Sequence, residues 1–130
     1  MRTIIHVDLD AFYCQVEHVR LNIPLDIPLC VQQWQGLIAV NYAARDKGIK
    51  RHSTVQEALE KCPELKLVHV ATYAHGESMP KYHTQGITYQ THKVSLDFYR
   101  KASARIMTIL SKYANIFQKA SVDEAYLDVY

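Results

Sequence analysis

The spacing of apolar residues changes repeatedly along the chain, and each change marks an element. Ile4, Ile5 and Val7 crowd a β-rich segment over residues 3–9, which predicts a buried strand with Asp8 and Asp10 at its C-terminal end. Residues 11–20 hold no Gly or Pro and set Phe12, Val16 and Val19 on one side at helical spacing, with Cys14 at the margin and Asp10 as the expected cap. Pro24 and Pro28 stop that helix, residues 29–33 read as a strand, Gly36 as a turn, and 37–41 as a second strand. Residues 42–47 have room for one short helix, ended by Gly48. Ser53 and Gln56 resemble a capping box that opens a helix carrying Val55, Ala58, Leu59 and Cys62, and Pro63 closes it. Residues 65–70 form another apolar strand.

Residues 72–93 are polar and aperiodic, and read as a long connection or insertion. Ser95 then caps a helix in which Phe98, Ala102, Ile106, Ile109 and Tyr113 recur at helical spacing, with Leu110 beside them. The last stretch turns at Lys119-Ala120-Ser121 and ends on a strand in which Ala125, Leu127 and Val129 alternate. The predicted order is β-α-β-β-α-α-β, a loop, then α-β-β. The fold class is α/β (α+β): a sheet with packed helices.

Composition narrows the picture. With 130 residues, 48% hydrophobic and 22% charged, the chain suits one compact domain or one and a half small ones, and disorder is excluded as its main state. No apolar run approaches a membrane span, and the N-terminus lacks a signal-peptide layout. Cys14, Cys30 and Cys62 make neither an even disulfide set nor a close metal pair, which fits a reducing compartment. The seven histidines show no zinc-site spacing and read as structural or surface residues. A net charge of +2 hides one basic patch: Arg45, Lys47, Lys50 and Arg51, less Asp46, give +3 between positions 45 and 51.

Candidate chemistry lies in two acidic groups far apart in sequence. Asp8 and Asp10 close the first strand, and Asp123 with Glu124 adjoin the last. If those strands are neighbours, Asp8, Asp123 and Glu124 converge at one sheet edge and repel one another. Divalent cations resolve that repulsion; Mg²⁺ prefers oxygen ligands, and a pair of ions is the usual device for phosphoryl or nucleotidyl transfer. On the residues alone, Asp8 or Asp10 serves equally as a helix cap, and Asp123-Glu124 as a solvated turn. The basic run around Gly48 equally reads as a solvated turn, Tyr13 as a core aromatic and Gln33 as an edge-strand surface residue. Asp128 has no specific role by spacing.

Four segments, in order, resemble the Y-family translesion DNA polymerases. Val7-Asp8-Leu9-Asp10-Ala11-Phe12-Tyr13 is similar to that family's first motif, and Ser121-Val122-Asp123-Glu124-Ala125-Tyr126-Leu127-Asp128 to its second acidic motif. Ile38-Ala39-Val40-Asn41-Tyr42-Ala43-Ala44-Arg45 with Gly48-Ile49-Lys50-Arg51 is similar to the fingers motif, and residues 92–100 resemble the eta branch of fungal type. The resemblance implies a right-handed polymerase with palm, fingers, thumb and little finger. It implies Asp8, Asp123 and Glu124 as catalytic metal ligands, with the Leu9 carbonyl as a further ligand, for two Mg²⁺ that Mn²⁺ can replace. It implies Tyr13 as the steric gate against a ribose 2′-hydroxyl, Phe12 as support of the sugar pocket, Tyr42 and Arg45 on the triphosphate, Arg51 over the nascent base and Gln33 on the template base. It further implies translesion synthesis in the nucleus on primer-template DNA with deoxynucleoside triphosphates, a sliding-clamp partner in the full-length protein, no membrane, and a roomy site that copies across linked pyrimidines.

By the same resemblance, residues 1–11 are the first palm strand, 12–75 the fingers and 76–130 an incomplete palm. Such a length leaves no thumb, little finger or later palm lysine. The expectation is therefore an N-terminal fragment, weak or inactive on its own and prone to self-association. His52 and Ser53 after Arg51 leave lesion tolerance open. The alternatives are a catalytically incompetent fragment, a nucleotide- or nucleic-acid-binding module, or another palm-type enzyme such as a cyclase, which gives no reason for Tyr13, Arg51 and Gln33 together.

Overall fold

The structure is a computed structural model and describes residues 1–129. In chain order its elements are β1 (Ile4–Asp8), α1 (Phe12–Leu21), β2 (Leu29–Gln33), β3 (Gly36–Val40), α2 (Tyr42–Asp46), α3 (Val55–Lys61), β4 (Lys66–His69), β5 (Thr72–Ala74), β6 (His92–Val94), α4 (Asp97–Ser111), β7 (Ile116–Lys119) and β8 (Glu124–Asp128). The mixed α/β class expected from the pattern is what forms.

β2 is the middle strand of a sheet ordered β3-β2-β4, antiparallel to β3 and parallel to β4. Both of its faces are covered, which is why Leu29-Cys30-Val31 is an unbroken apolar run. Cys30 joins Leu37, Val40, Ala44, Ile49, Ala58 and Cys62 in a core roofed by α2 and α3. Leu29 and Val31 face the other way, against Phe12 and Cys14 of α1 and Tyr99 of α4. Burial pushes the Cys14 and Cys30 thiols up to about 12, so both are packing groups rather than nucleophiles.

The second sheet is ordered β1-β8-β7, all antiparallel, and Met107 of α4 packs on its Ala125 and Leu127 face. β1 is thus an edge strand, and the expected burial of the first segment is not what forms. Val7 and Leu9 reach the α4 cluster, whereas Ile4 and Ile5 lie beyond it, 50% and 44% exposed.

Other expectations need correction. Asp10 does not cap α1; Ala11 occupies the cap position in a left-handed conformation (φ 42°), and the Gln15 side-chain amide donates to the Asp10 carbonyl. The Phe12-Val16-Val19 stripe is the buried side only in part: Phe12 is buried and Val16 half-buried, but Val19 is 83% exposed, and Cys14, Glu17 and His18 complete the buried face. The cap of α3 falls one residue later than expected, with Thr54 Oγ1 accepting from the Glu57 N–H at 3.1 Å. The turn before β3 is at Trp34 (φ 56°) rather than Gly36, which already pairs with Gln33. On α4 the buried residues are Tyr99, Ser103 and Met107, whereas Ile109 on it and Tyr113 beyond its end are exposed. Ser95 Oγ accepts from the Asp97 N–H at 3.3 Å, one residue before the helix cap position.

The polar connection contains a hairpin that periodicity does not reveal. β5 and β6 pair over three residues each, too short for an alternation to register. Glu77 pins the intervening loop: it accepts from the Ala74 N–H at 2.6 Å and from His83 at 2.6 Å, and Lys81 lies 3.2 Å away. These donors hold its carboxyl down at about 2.

Candidate active site

The antiparallel register of β1 and β8 places Asp8 directly opposite Glu124, and the Leu9 N–H donates to the Asp123 carbonyl at 2.8 Å. The two strands are neighbours, so the backbones of Asp8, Asp123 and Glu124 come to one end of the β1–β8 pair. The turn that carries Asp123 is fastened to α4 by the buried Ser103 hydroxyl, which donates to the Val122 carbonyl. Asp8 is exposed, and Asp123 and Glu124 are half-buried.

The side chains stand apart. Ser121 Oγ lies 2.9 Å from Asp123 Oδ1 and 3.2 Å from Glu124 Oε2, and His6 Nε2 lies 3.2 Å from Glu124 Oε1. Like-charged carboxylates separate and accept from neighbouring donors. Among the described residues, no cluster of three His, Cys, Asp or Glu stands close enough to hold a metal ion. The donor chemistry at the edge fits hard divalent cations: oxygen donors, open on one side to solvent. His6 also stacks on Tyr126, ring centroids 4.7 Å apart, next to this edge.

Tyr13 lies on the first turn of α1, just past that edge. Its ring stacks on Tyr99 of α4, centroids 4.2 Å apart and planes 12° from parallel. Burial and then the Asp123 carboxylate raise its pKa, while Arg100 and Arg51 act to lower it. Tyr13, Asp123 and Arg51 therefore belong to one electrostatic neighbourhood, although the sequence separates them widely. Phe12, beside Tyr13 with rings 6.2 Å apart, is buried in the core below.

The fingers-motif residues occupy α2 and the loop after it. Asn41 sets that helix in place. Its Oδ1 accepts from the Leu29 and Ala44 N–H groups (3.1 and 2.9 Å), and its Nδ2 donates to the Ile27 carbonyl and to His18 Nε2 (2.8 and 3.1 Å). His18 Nδ1 in turn donates to the Ile23 carbonyl at 3.0 Å. The next residue, Tyr42, is exposed, and the Arg45 guanidinium lies 4.7 Å from its ring centroid while Arg45 Nε donates to the Val40 carbonyl. Gly48 (φ 87°) closes α2 in a left-handed turn that buries Ile49 and leaves Lys50 and Arg51 exposed. Gln33 stands half-buried at the end of β2, opposite Gly36.

Three further residues around the site are given no role by the sequence reading, although all lie inside its motif segments. Tyr99 and Arg100, in segment 92–100, reach Tyr13 only through tertiary contact. Ser121 stands in the second acidic motif and reaches Asp123 and Glu124 locally.

A model of the impB/mucB/samB family (IMS) matches residues 7–130. Over 129 residues the chain is 51% identical to the N-acetyltransferase eso1 of Schizosaccharomyces pombe, a match covering 99% of this chain and 15% of that protein. It is 38% identical over 136 residues to DNA polymerase eta of Saccharomyces cerevisiae, covering 97% of this chain and 22% of that protein. It is 33% identical over 128 residues to human DNA polymerase iota, covering 98% and 14%. The crystal structure of DinB from Sulfolobus solfataricus matches with a TM-score of 0.74 at 29% identity, over 99% of this chain and 32% of that one. The chain thus spans between 14% and 22% of these curated relatives.

Proposed function

We propose, from the premise that the chain belongs to the impB/mucB/samB family of Y-family polymerases, that it supplies the fingers and the metal-binding palm edge of a template-directed translesion DNA polymerase. The observation that carries this reading is the β1–β8 register, which sets Asp8 against Glu124 with Asp123 beside them and Tyr13 adjacent. In the reaction the primer 3′-oxygen attacks the α-phosphorus of a deoxynucleoside triphosphate, and pyrophosphate leaves.

Each side chain has a task in that reaction. Asp8, Asp123, Glu124 and the Leu9 carbonyl would hold two divalent ions, Mg²⁺ with Mn²⁺ as a substitute. Bound there, such ions lower the pKa of the attacking hydroxyl and neutralise charge on the leaving group. Tyr42 and Arg45 hold the triphosphate, the guanidinium offering forked hydrogen bonds to phosphate oxygens. Arg51 lies over the nascent base, and Gln33 meets the template base. Tyr13 closes the space beside C2′ and rejects a 2′-hydroxyl, and Phe12 backs the sugar pocket. Residues 12–75 act as fingers, and residues 1–11 with 76–130 as palm.

Primer-template DNA and deoxynucleoside triphosphates are the substrates on this reading. A sliding clamp as partner belongs to the same reading, as does a nuclear setting, which the polymerase eta relatives from yeast, fly and plant support. The acetyltransferase activity in the name of the fission-yeast relative is not carried over, because this chain corresponds to 15% of that protein and the family match covers residues 7–130.

The test is primer extension with the chain joined to the downstream region of the Saccharomyces cerevisiae DNA polymerase eta. Template-directed addition that disappears in Asp8→Ala supports the reading. Addition that is unchanged in Asp8→Ala overturns it.

A further inference from the structure

Residues directly opposite on an antiparallel pair point to the same side of the sheet. In the β1-β8-β7 sheet, Ala125 and Leu127 of β8 take the side packed by Met107 of α4. The alternate residues form two rows on the other side. One row is Asp8 with Glu124. The next is His6, Tyr126 and Gln118, which the register sets side by side across β1, β8 and β7. Two residues of strand separate the rows by about 7 Å.

All three residues of the second row are exposed, Tyr126 by 42%. His6 and Tyr126 form a stacked pair, centroids 4.7 Å apart and planes 18° from parallel. His6 Nε2 also donates to Glu124 Oε1 at 3.2 Å, which ties the pair to the carboxylate row. An open aromatic surface takes up nucleotides without regard to their sequence. Nothing in the proposed chemistry uses either ring.

The direction of the reaction says which nucleotide this surface meets. In an in-line displacement the attacking oxygen and the leaving group stand on opposite sides of the reacting phosphorus. The incoming nucleotide, on the reading given above, lies on the Tyr13 side of the carboxylates. The chain runs from His6 through Asp8 to Tyr13. The attacking strand therefore comes from the opposite side, over His6 and Tyr126.

We propose that the stacked His6–Tyr126 pair is the rest for the primer-terminal nucleotide and holds its 3′-oxygen at the carboxylates. This rests on the polymerase reading, with Tyr13 marking the nucleotide side. Tyr126 supplies the contact surface, and His6 props its ring.

Two measurements on the chimeric polymerase test this. The first needs no catalysis: 2-aminopurine occupies the 3′-terminal position of the primer in a primer-template duplex. A terminus held against the ring frays little, so the parent complex emits weakly. Tyr126→Leu should raise the emission toward that of the free duplex, whereas Tyr126→Phe, which keeps the ring, should not. The second is single-turnover incorporation across deoxynucleoside triphosphate concentrations. Tyr126→Leu should lower the maximal rate about tenfold and leave the nucleotide dissociation constant within about twofold, because the primer oxygen and not the nucleotide is displaced. Tyr126→Phe should keep the parental rate.

His6→Leu, which removes the prop, serves if Tyr126→Leu does not fold, and should move both readouts in the same direction. Parental emission and a parental maximal rate in the folded variant overturn the proposal, as does a loss confined to nucleotide affinity. Asp8→Ala tells the two readings apart: it should abolish incorporation and leave the emission low. A parent chimera that binds the duplex but never extends a primer counts against the polymerase reading instead, and the emission then decides whether the pair holds the terminus.

Discussion

Asp8 and Glu124 face each other across one antiparallel strand pair, and the adjoining Leu9 N–H donates to the Asp123 carbonyl at 2.8 Å. The backbone ladder alone therefore fixes how close the acidic residues from the two ends of the chain come. Side-chain placement is a separate matter: Ser121 holds Asp123 Oδ1 and Glu124 Oε2, and His6 the other Glu124 oxygen, Oε1.

Substituting Asp123 or Glu124 by Ala in the chimeric polymerase is expected to lower incorporation on the order of 1,000-fold or more, since a metal-stabilised transition state loses several kcal/mol. Primer-template affinity, read by fluorescence anisotropy, should change little. Near-parental turnover in Asp123→Ala would remove that residue from the role.

Tyr13→Ala is expected to reduce the preference for deoxyribonucleotides by about 10- to 100-fold, chiefly by admitting the 2′-hydroxyl. Steady-state kcat/KM for paired deoxy- and ribonucleotides measures it. Equal ratios in parent and variant would take the gate away from Tyr13.

Asn41→Ala should destabilise the chain by about 3 kcal/mol or more, because it leaves the buried Leu29 and Ala44 N–H groups, the Ile27 carbonyl and His18 Nε2 without their partner. Urea unfolding followed by circular dichroism reads the loss. A variant as stable as the parent would show that water replaces these bonds.

The loop after β5 should loosen in acid. Glu77 is held down at about 2 from an ordinary 4.5, so its contribution to holding the loop is complete above the ordinary value. That contribution is lost as pH falls through about 2. Hydrogen exchange at the Ala74 amide should accelerate, beyond the intrinsic pH trend, across that window in the parent, and Glu77→Gln should abolish the extra acceleration. An identical profile in both proteins would assign the loop's order to other contacts.

Much of the architecture was legible because it is local. β2 reads as apolar on consecutive positions since both its faces are covered, and the short α2 ends at Gly48 because that position needs a positive φ. The burial of β1 does not follow from the same kind of pattern: three β-branched residues make a strand, but an edge position leaves Ile4 and Ile5 in solvent. Hydrophobicity records what a strand prefers, and the sheet order decides how much of it is covered.

The sequence by itself determined which residues carry charge, which segments outside the β5–β6 hairpin are strands or helices, and that two acidic motifs flank a basic one. Only the tertiary structure decided that Asp8 meets Glu124, that Tyr13 lies on Tyr99, and that Glu17 is buried against Tyr82. The physical reason is range. Helical and strand periodicity acts over a few residues, whereas these three pairings join distant parts of the chain and exist only after the sheets and helices have packed.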